Sequence, residues 1–304
     1  MNKISAIVVT YNRIELLKEC IRALINNAEN ADIFIIDNAS TDGTEEEVKV
    51  FVDNQRIFYF NTGANIGGAG GFNYGIKQAY SKGYDYFWLM DDDTMVDETT
   101  LKELVSAIET IPDGKFGYLS SVAYWTDGSL CKMNNQTPTP DHLLFNQSKG
   151  LFEKGLVPVH KATFVSFFVN RKVVQDLGFP IKEYFIWGDD TEYSTRIAAK
   201  YPCYLVGKSK VLHKMKENKD STDAILSVTD INRINRVKLS IRNDCCTYRR
   251  VGIKRFLSYS MYVFKTIWKV LSNKCTYKRK KIRALLQGYI YGFFFHPTIE
   301  KPEK

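Results

Sequence analysis

No two of the six cysteines in this 304-residue chain stand in a Cys-x-x-Cys pair; Cys20, Cys131, Cys203, Cys245, Cys246 and Cys275 are scattered. That spacing excludes a zinc knuckle and a disulfide scaffold, and a reducing cytoplasm is the simplest compartment. The first residues do not read as a secretory leader. "MNKISAIVVTYNR" has one lysine and a short apolar run, but no small-residue cleavage site, and polar Thr10, Asn12 and Arg13 follow at once. It reads as a first strand. Long repeats and low-complexity segments are absent. "GGAGGFNYG" (67–75) does not complete Gly-x-Gly-x-x-Gly, because Gly68 and Gly70 are followed by Asn73, and it follows a third strand, so a dinucleotide-binding reading fails.

Acidic residues are absent from Val251 to Ile299. The net charge of +8 therefore lies in the tail: residues 1–250 carry 30 Lys and Arg against 32 Asp and Glu, and residues 251–304 carry 12 against 2. Aromatics crowd the same stretch, and this composition shift sets a boundary near residue 250, between units 1–250 and 251–304. With 44% hydrophobic and 13% aromatic residues, the chain has enough apolar surface for one large domain or a domain plus an appendage.

In the first unit, apolar runs alternate with amphipathic ones. "ISAIVVT" (4–10), "DIFIID" (32–37), "RIFYFN" (56–61) and "YDYFWLM" (84–90) read as strands buried on both faces. Ile14–Ile25, Thr44–Val52 and Gly71–Tyr80 carry helical spacing. This order predicts a doubly wound α/β fold. "NNQTPTPDH" (134–142) is turn-rich and predicts a loop over the active face.

Each strand ends in polar groups: "TYNR" (10–13), "DNAST" (37–41), "NTGANIGG" (61–68) and "DDD" (91–93). In an open parallel sheet these carboxyl ends line one crevice, where ligands bind. Three adjacent aspartates behind "FWLM" repel one another unless a cation or a basic side chain sits among them. A solvated turn or helix cap explains such a run on its own. Together with the other strand ends, however, Asp91 and Asp93 are spaced to share a hard cation and a diphosphate.

In this order, "IVVTYNR", "IIDNASTDGT", "NIGGAGGFNYG" and "WLMDDD" resemble family 2 glycosyltransferases of the GT-A fold, a Rossmann-like, mostly parallel sheet flanked by helices. The third and fourth segments are most similar to bacterial galactofuranosyltransferases and rhamnosyltransferases. "FIWGDDTEYSTRI" (185–197) resembles the WDD-type motif of the galactofuranosyltransferases, with Gly188 standing between the usual tryptophan and aspartate, and "VLHK" supplies His213. The resemblance covers about residues 3–250. It implies that Thr10, Asn12 and Asp37 hold the nucleoside. Asn65 and Gly67 lie near the donor sugar or diphosphate, and Asp91 and Asp92 contact the donor. Asp91 and Asp93 form a DxD pair for Mn²⁺ or Mg²⁺, with His213 as a further ligand. The cation would neutralise charge as the nucleoside diphosphate leaves.

Inverting transfer also needs a base for the acceptor hydroxyl. Asp190 is the choice, with Asp189 and Glu192 as competitors. If Asp189 opens a helix, Asp190, Tyr193 and Ile197 share a face, and Glu192 and Arg196 pair at i, i+4. Mere capping of that helix is the plain alternative. Trp187 either stacks on the acceptor sugar or fills the core.

In the tail, Ile253, Phe256, Leu257, Met261, Phe264, Ile267, Trp268 and Leu271 fall at helical spacing, with Lys254, Arg255, Ser258, Lys265 and Lys269 mostly opposite. A basic, aromatic amphipathic helix suits an anionic membrane surface. Residues 274–297 repeat the theme, and the uncharged stretch 284–299 is too short to span a bilayer. Nucleic-acid binding and a packing module or homo-oligomer interface are the competing readings. The expectation is thus an inverting, metal-dependent glycosyltransferase, peripheral on the inner face of a bacterial membrane. It would extend a lipid-linked surface polysaccharide from UDP-galactofuranose, a nucleotide-activated rhamnose or another UDP-hexose. A non-catalytic membrane scaffold is the alternative of another class, and it predicts loss of the DxD pair or the base, both of which are present.

Overall fold

A computed structural model describes residues 2–52, 54–134, 136–138, 150–218 and 224–303. Strands β1 (Ile4–Thr10), β2 (Ala31–Asp37), β3 (Ile57–Asn61) and β4 (Tyr86–Asp91) alternate with helices α1 (Ile14–Asn27), α2 (Thr44–Val52) and α3 (Gly67–Ser81). These four strands pair in parallel, in the order β3-β2-β1-β4, with Thr10 level with Asp37 and Val9 with Asp91. The polar strand ends therefore do lie along one edge.

Beyond β4 the pairing has no counterpart in the periodicity of the sequence. The chain continues through β5 (Thr94–Val96), α4 (Thr100–Thr110), β6 (Tyr118–Tyr124), β7 (Thr137–Pro138), β8 (Leu156–Lys161), β9 (Phe167–Asn170) and α5 (Arg171–Leu177). It then forms α6 (Asp189–Ala198) and β10 (Tyr204–His213). β9 enters antiparallel between β4 and β6, and β10 pairs with β6 in parallel but with β5 and β8 antiparallel. The sheet is mixed in this half. Within the stretch expected to be a loop, Thr137–Pro138 pairs with β8 as an edge strand, while 135 and 139–142 lie outside the described residues.

Two cores sandwich the sheet. On one face Leu17, Ile21 and Leu24 of α1 and Leu101 and Leu104 of α4 cover Trp88 and Phe168. On the other, Ile76 of α3, Val173 of α5 and Tyr193 and Ile197 of α6 cover Ile7, Phe34 and Phe167. Helix α3 begins four residues before the expected start, because its glycines serve packing as well as approach to a ligand. A Cβ on Gly71 would stand 2.6 Å from Val9 Cγ1, and one on Gly75 2.5 Å from Ile7 Cγ2, so glycine lets the helix lie directly on the sheet.

After α7 (Ala224–Ser227), helices α8 (Ile231–Val251), α9 (Ile253–Ser272) and α10 (Lys278–Phe294) follow. Helix α8 ends beside the expected boundary, yet its Ile241 and Cys245 share a core with Tyr259, Val263 and Val270 of α9 and Leu285 of α10. Phe256 and Ile267 pack against that core, while Ile253, Leu257, Met261, Phe264 and Trp268 are 56–72% exposed. The apolar positions of α9 thus divide between a packed face and a bare one. Lys281 is buried, its Nζ donating to the Leu226 carbonyl at 2.9 Å, and so belongs to the packing of this unit. No helix among the described residues is long and apolar enough to cross a membrane.

Residues 295–301 return to the sheet domain as a strap. Phe179 N–H donates to the Glu300 carbonyl at 2.9 Å, and the Glu300 carboxylate accepts from Lys77 and Lys182 at 2.7 Å and from Asn73 at 3.1 Å. Phe295 and Ile299 pack on Ala69, Ile181 and Tyr184.

Candidate active site

The aspartates at the end of β4 divide their work. Asp92 is buried, accepts from Thr10 Oγ1 at 2.7 Å and faces Arg13 at 2.9 Å. Arg13 also reaches Asp93, so the basic side chain that three carboxylates require is present in "TYNR". One guanidinium does not offset three adjacent carboxyls. Burial, then repulsion from Asp93 and Asp92, pushes Asp91 well above its ordinary range, and burial lifts Asp92 to about 7 despite Arg13. Burial would raise Asp93 as well, but its contacts with His213 and Arg13 outweigh that and hold it at about 2.

Strand β10 brings His213 beside β5, level with Thr94, and Lys214 N–H donates to the Asp93 carbonyl at 2.8 Å. One ligand atom each from Asp91, Asp93 and His213 lies within 4.8 Å of the others. An ion with bonds of about 2.1 Å keeps opposite ligands about 4.2 Å apart, so modest side-chain adjustment closes the set. Asp93 Oδ1 stands 3.0 Å from His213 Nε2, yet this buried oxygen accepts no aligned hydrogen bond. Two carboxylates, one imidazole and an orphaned buried oxygen fit a divalent cation such as Mn²⁺ or Mg²⁺.

The opposite wall is residues 183–188 and the start of α6. Phe185, Trp187 and Gly188 have φ of 64°, 63° and 87°, a left-handed conformation that costs roughly 1–3 kcal/mol at each non-glycine residue. Helix α8 holds it. The buried Asn243 amide donates to the carbonyls of Tyr184, Ile186 and Trp187 at 2.9, 3.2 and 2.7 Å, and Arg242 reaches the Glu183 carbonyl at 2.8 Å. The Phe185 carbonyl in turn accepts from Ala69 N–H at the start of α3, and a Cβ on Gly67 would lie 2.1 Å from that oxygen.

Gly188 introduces α6, with Asp189 and Asp190 in its first turn and Glu192 paired to Arg196 at 2.8 Å, as the spacing predicts. The two aspartates have different neighbours. Asp189, lifted to about 7 by burial and then by Asp190, adds to the repulsion on Asp91. Asp190 is raised by burial and opposed by Lys161, and it faces Asp244 of α8, itself lifted to about 7 by burial. Thr191 N–H donates to Asp190 Oδ1 at 2.6 Å, leaving Oδ2 without a donor among the described residues.

A cavity of about 370 Å³ joins the walls, within the range for small-molecule sites. It brings together Asp91, Trp187, Asp189, Asp190 and His213, with Gly68 at the start of α3. Other expected residues stand apart from this lining. Asp37 is buried, its oxygens accepting from Ser40 and Tyr59; Asn12 Oδ1 accepts from Thr41 N–H; Asn65 Oδ1 accepts from Gly67 N–H. Thr10 is spent on Asp92, and Asp92 on Thr10 and Arg13. These residues shape the strand-end edge beside the cavity. Sequence reasoning missed Arg13, Asn134 and Thr163 in the lining and Asn243 behind it. Only Arg13, in a quoted motif beside a charge deficit, carried a local signal.

Residues 5–175 match the glycosyl transferase family 2 model. The chain belongs to that family. It is 27% identical over 213 residues to galactofuranosyltransferase GlfT1 of Mycolicibacterium smegmatis, covering 64% of this chain and 65%, less than two thirds, of the relative. It is 34% identical over 116 residues to the abequosyltransferase RfbV of Salmonella typhimurium, covering 36% of this chain and 34% of RfbV. The S. aureus TarS 1-349 structure in complex with UDP-GlcNAc superposes with a TM-score of 0.62 at 13% identity, over 94% of this chain and 81% of TarS. The Pyrobaculum calidifontis mannosyltransferase PcManGT, in complex with GDP-Man and Mn²⁺, gives 0.56 at 13% identity over 96% and 87%. At these identities the structures establish the GT-A fold.

Proposed function

We propose that this glycosyltransferase transfers a hexose, galactofuranose first, from a UDP-sugar to a lipid-linked glycan in bacterial surface polysaccharide synthesis, with inversion and with a divalent cation. The observation that carries the proposal is that Asp91 and His213, which cluster with Asp93, line one cavity together with Asp189 and Asp190. The name of the GlfT1 relative supports galactofuranose, the TarS complex a UDP donor, and the PcManGT complex Mn²⁺. RfbV keeps nucleotide-activated deoxyhexoses, rhamnose included, as alternative donors.

Asp91, Asp93 and His213 would hold the cation, which supplies counter-charge to the departing diphosphate. Arg13 keeps Asp92 and Asp93 in place beneath them. Across the cavity, Asp190 takes the proton of the acceptor hydroxyl through its free oxygen, and its burial raises its basicity toward that task. Trp187 offers a face on which an acceptor ring stacks. The bare face of α9, flanked by Lys254 and Lys265, would rest on the anionic inner face of the membrane, where a lipid-linked acceptor lies. The test is a panel of nucleotide-sugars with purified protein and Mn²⁺, read by donor hydrolysis and by protection against thermal unfolding. A UDP-hexose should register and be lost on adding EDTA or in Asp93→Ala; equal response with EDTA present removes the metal from the mechanism.

A further inference from the structure

The His213 ring is held from behind. Its Nδ1 stands 2.7 Å from Asn134 Oδ1, and the Asn134 amide nitrogen donates to Thr163 Oγ1 at 2.9 Å, which turns the amide oxygen toward the ring. Asn134 is itself fixed at the end of a single helical turn, Lys132–Asn134, by its N–H to the Cys131 carbonyl at 3.2 Å, and Cys131 N–H is bonded to Ala123 of β6 at 3.0 Å. An amide oxygen only accepts, so Nδ1 carries a proton, and in the neutral ring it is the only one. Nε2 is then a bare lone pair facing Asp93 Oδ1, the buried oxygen that accepts no aligned hydrogen bond. Two acceptors 3.0 Å apart are unfavourable unless a proton or a metal cation joins them.

We propose that Asn134 is a positioning residue that fixes the Nδ1–H tautomer and ring plane of His213, so that Nε2 is presented as a ligand to the cation shared with Asp91 and Asp93. The inference rests on the metal reading above and assigns a specific outer partner to it. Such partners set metal affinity through ligand orientation and basicity, and their loss typically costs ten- to a hundredfold.

The experiment uses the full chain and two probes, Mn²⁺ alone and Mn²⁺ with UDP, with free Mn²⁺ followed by electron paramagnetic resonance. Asn134→Ala should weaken Mn²⁺ binding roughly ten- to a hundredfold, and Asn134→Asp, whose carboxylate still accepts from Nδ1–H, should restore it. In metal-free protein labelled with ¹⁵N-histidine, the neutral His213 ring should carry its proton on Nδ1 in the wild type and divide between tautomers in Asn134→Ala. The wild-type spectrum alone overturns the proposal if the proton is found on Nε2, whether or not the alanine variant folds. Wild-type affinity in Asn134→Ala, with loss in His213→Ala, overturns the role of Asn134 and leaves the metal site standing. Equal Mn²⁺ binding by wild type and His213→Ala removes His213 from the site, and the inference with it.

Discussion

Replacing Glu300 by Gln tests how firmly the strap is fastened. Burial pushes the Glu300 carboxyl up, but hydrogen bonds from Lys182, Lys77 and Asn73 overcome it and hold the pKa at about 2, below the ordinary 4.5. Taken at face value that gap corresponds to about 3.4 kcal/mol. Glu300 is 29% exposed and its lysine partners 35% and 48%, so solvent screening reduces the expectation to about 1–2 kcal/mol. The sign follows from the depressed value. The stabilisation is fully present above pH 4.5 and is lost as pH falls toward 2. Urea unfolding of wild type and Glu300→Gln should therefore differ by about 1–2 kcal/mol at pH 7 and by less than half of that at pH 3. A difference that is the same at both pH values, or absent at pH 7, would refute the electrostatic account of the strap.

Asp190→Asn should keep nucleotide binding and lower turnover by roughly a hundredfold or more, whereas equal turnover there with collapse in Asp189→Asn would assign the base to Asp189; single-turnover kinetics on a soluble acceptor decide this. Gly67→Ala forces a Cβ into the Phe185 carbonyl at φ +74°, and should destabilise the protein by about 1–3 kcal/mol in urea titrations while impairing donor binding. An unchanged midpoint would show that the 183–188 segment yields. Trp268→Ala should weaken binding to anionic vesicles at every salt concentration, and neutralising Lys254 and Lys265 should weaken it mainly at low salt. Sedimentation that ignores both changes removes the α9 face from the membrane proposal.

The half of the site on β1 to β4 was legible because short-range patterns encode it. Continuous apolar runs mark doubly covered strands, and the polar residues that stop them fall on one edge by the geometry of parallel pairing. His213 and the "GDDTE" helix were found by resemblance rather than by pattern, since a histidine beside a lysine carries no periodic signal. Asn134 and Asn243 carried none either. Asn134 meets His213 across 79 residues of sequence, and Asn243 meets Tyr184 across 59. The first depends on the parallel pairing of β6 with β10 and the second on the docking of α8, neither of which periodicity specifies. The tail divided similarly: amphipathic spacing was readable, but which apolar positions of α9 would face α8 depended on the packing of the helical unit.

The strap also sets an order of events during synthesis. Asn73 and Glu300 are 227 residues apart, and the helix that clamps Trp187 comes after the loop it clamps. Strands β1 to β4 with their helices emerge early and contain mostly neighbouring contacts, so they can assemble while the chain is still being made. The strained 185–188 segment has no such support until α8 is out, and α3 has no outer tether until the strap is. At typical elongation rates of about 5–20 residues per second, those last 227 residues take roughly 11–45 seconds. During much of that interval the strand-end edge exists without its opposing wall. The 183–188 wall is therefore among the last parts of the site to form.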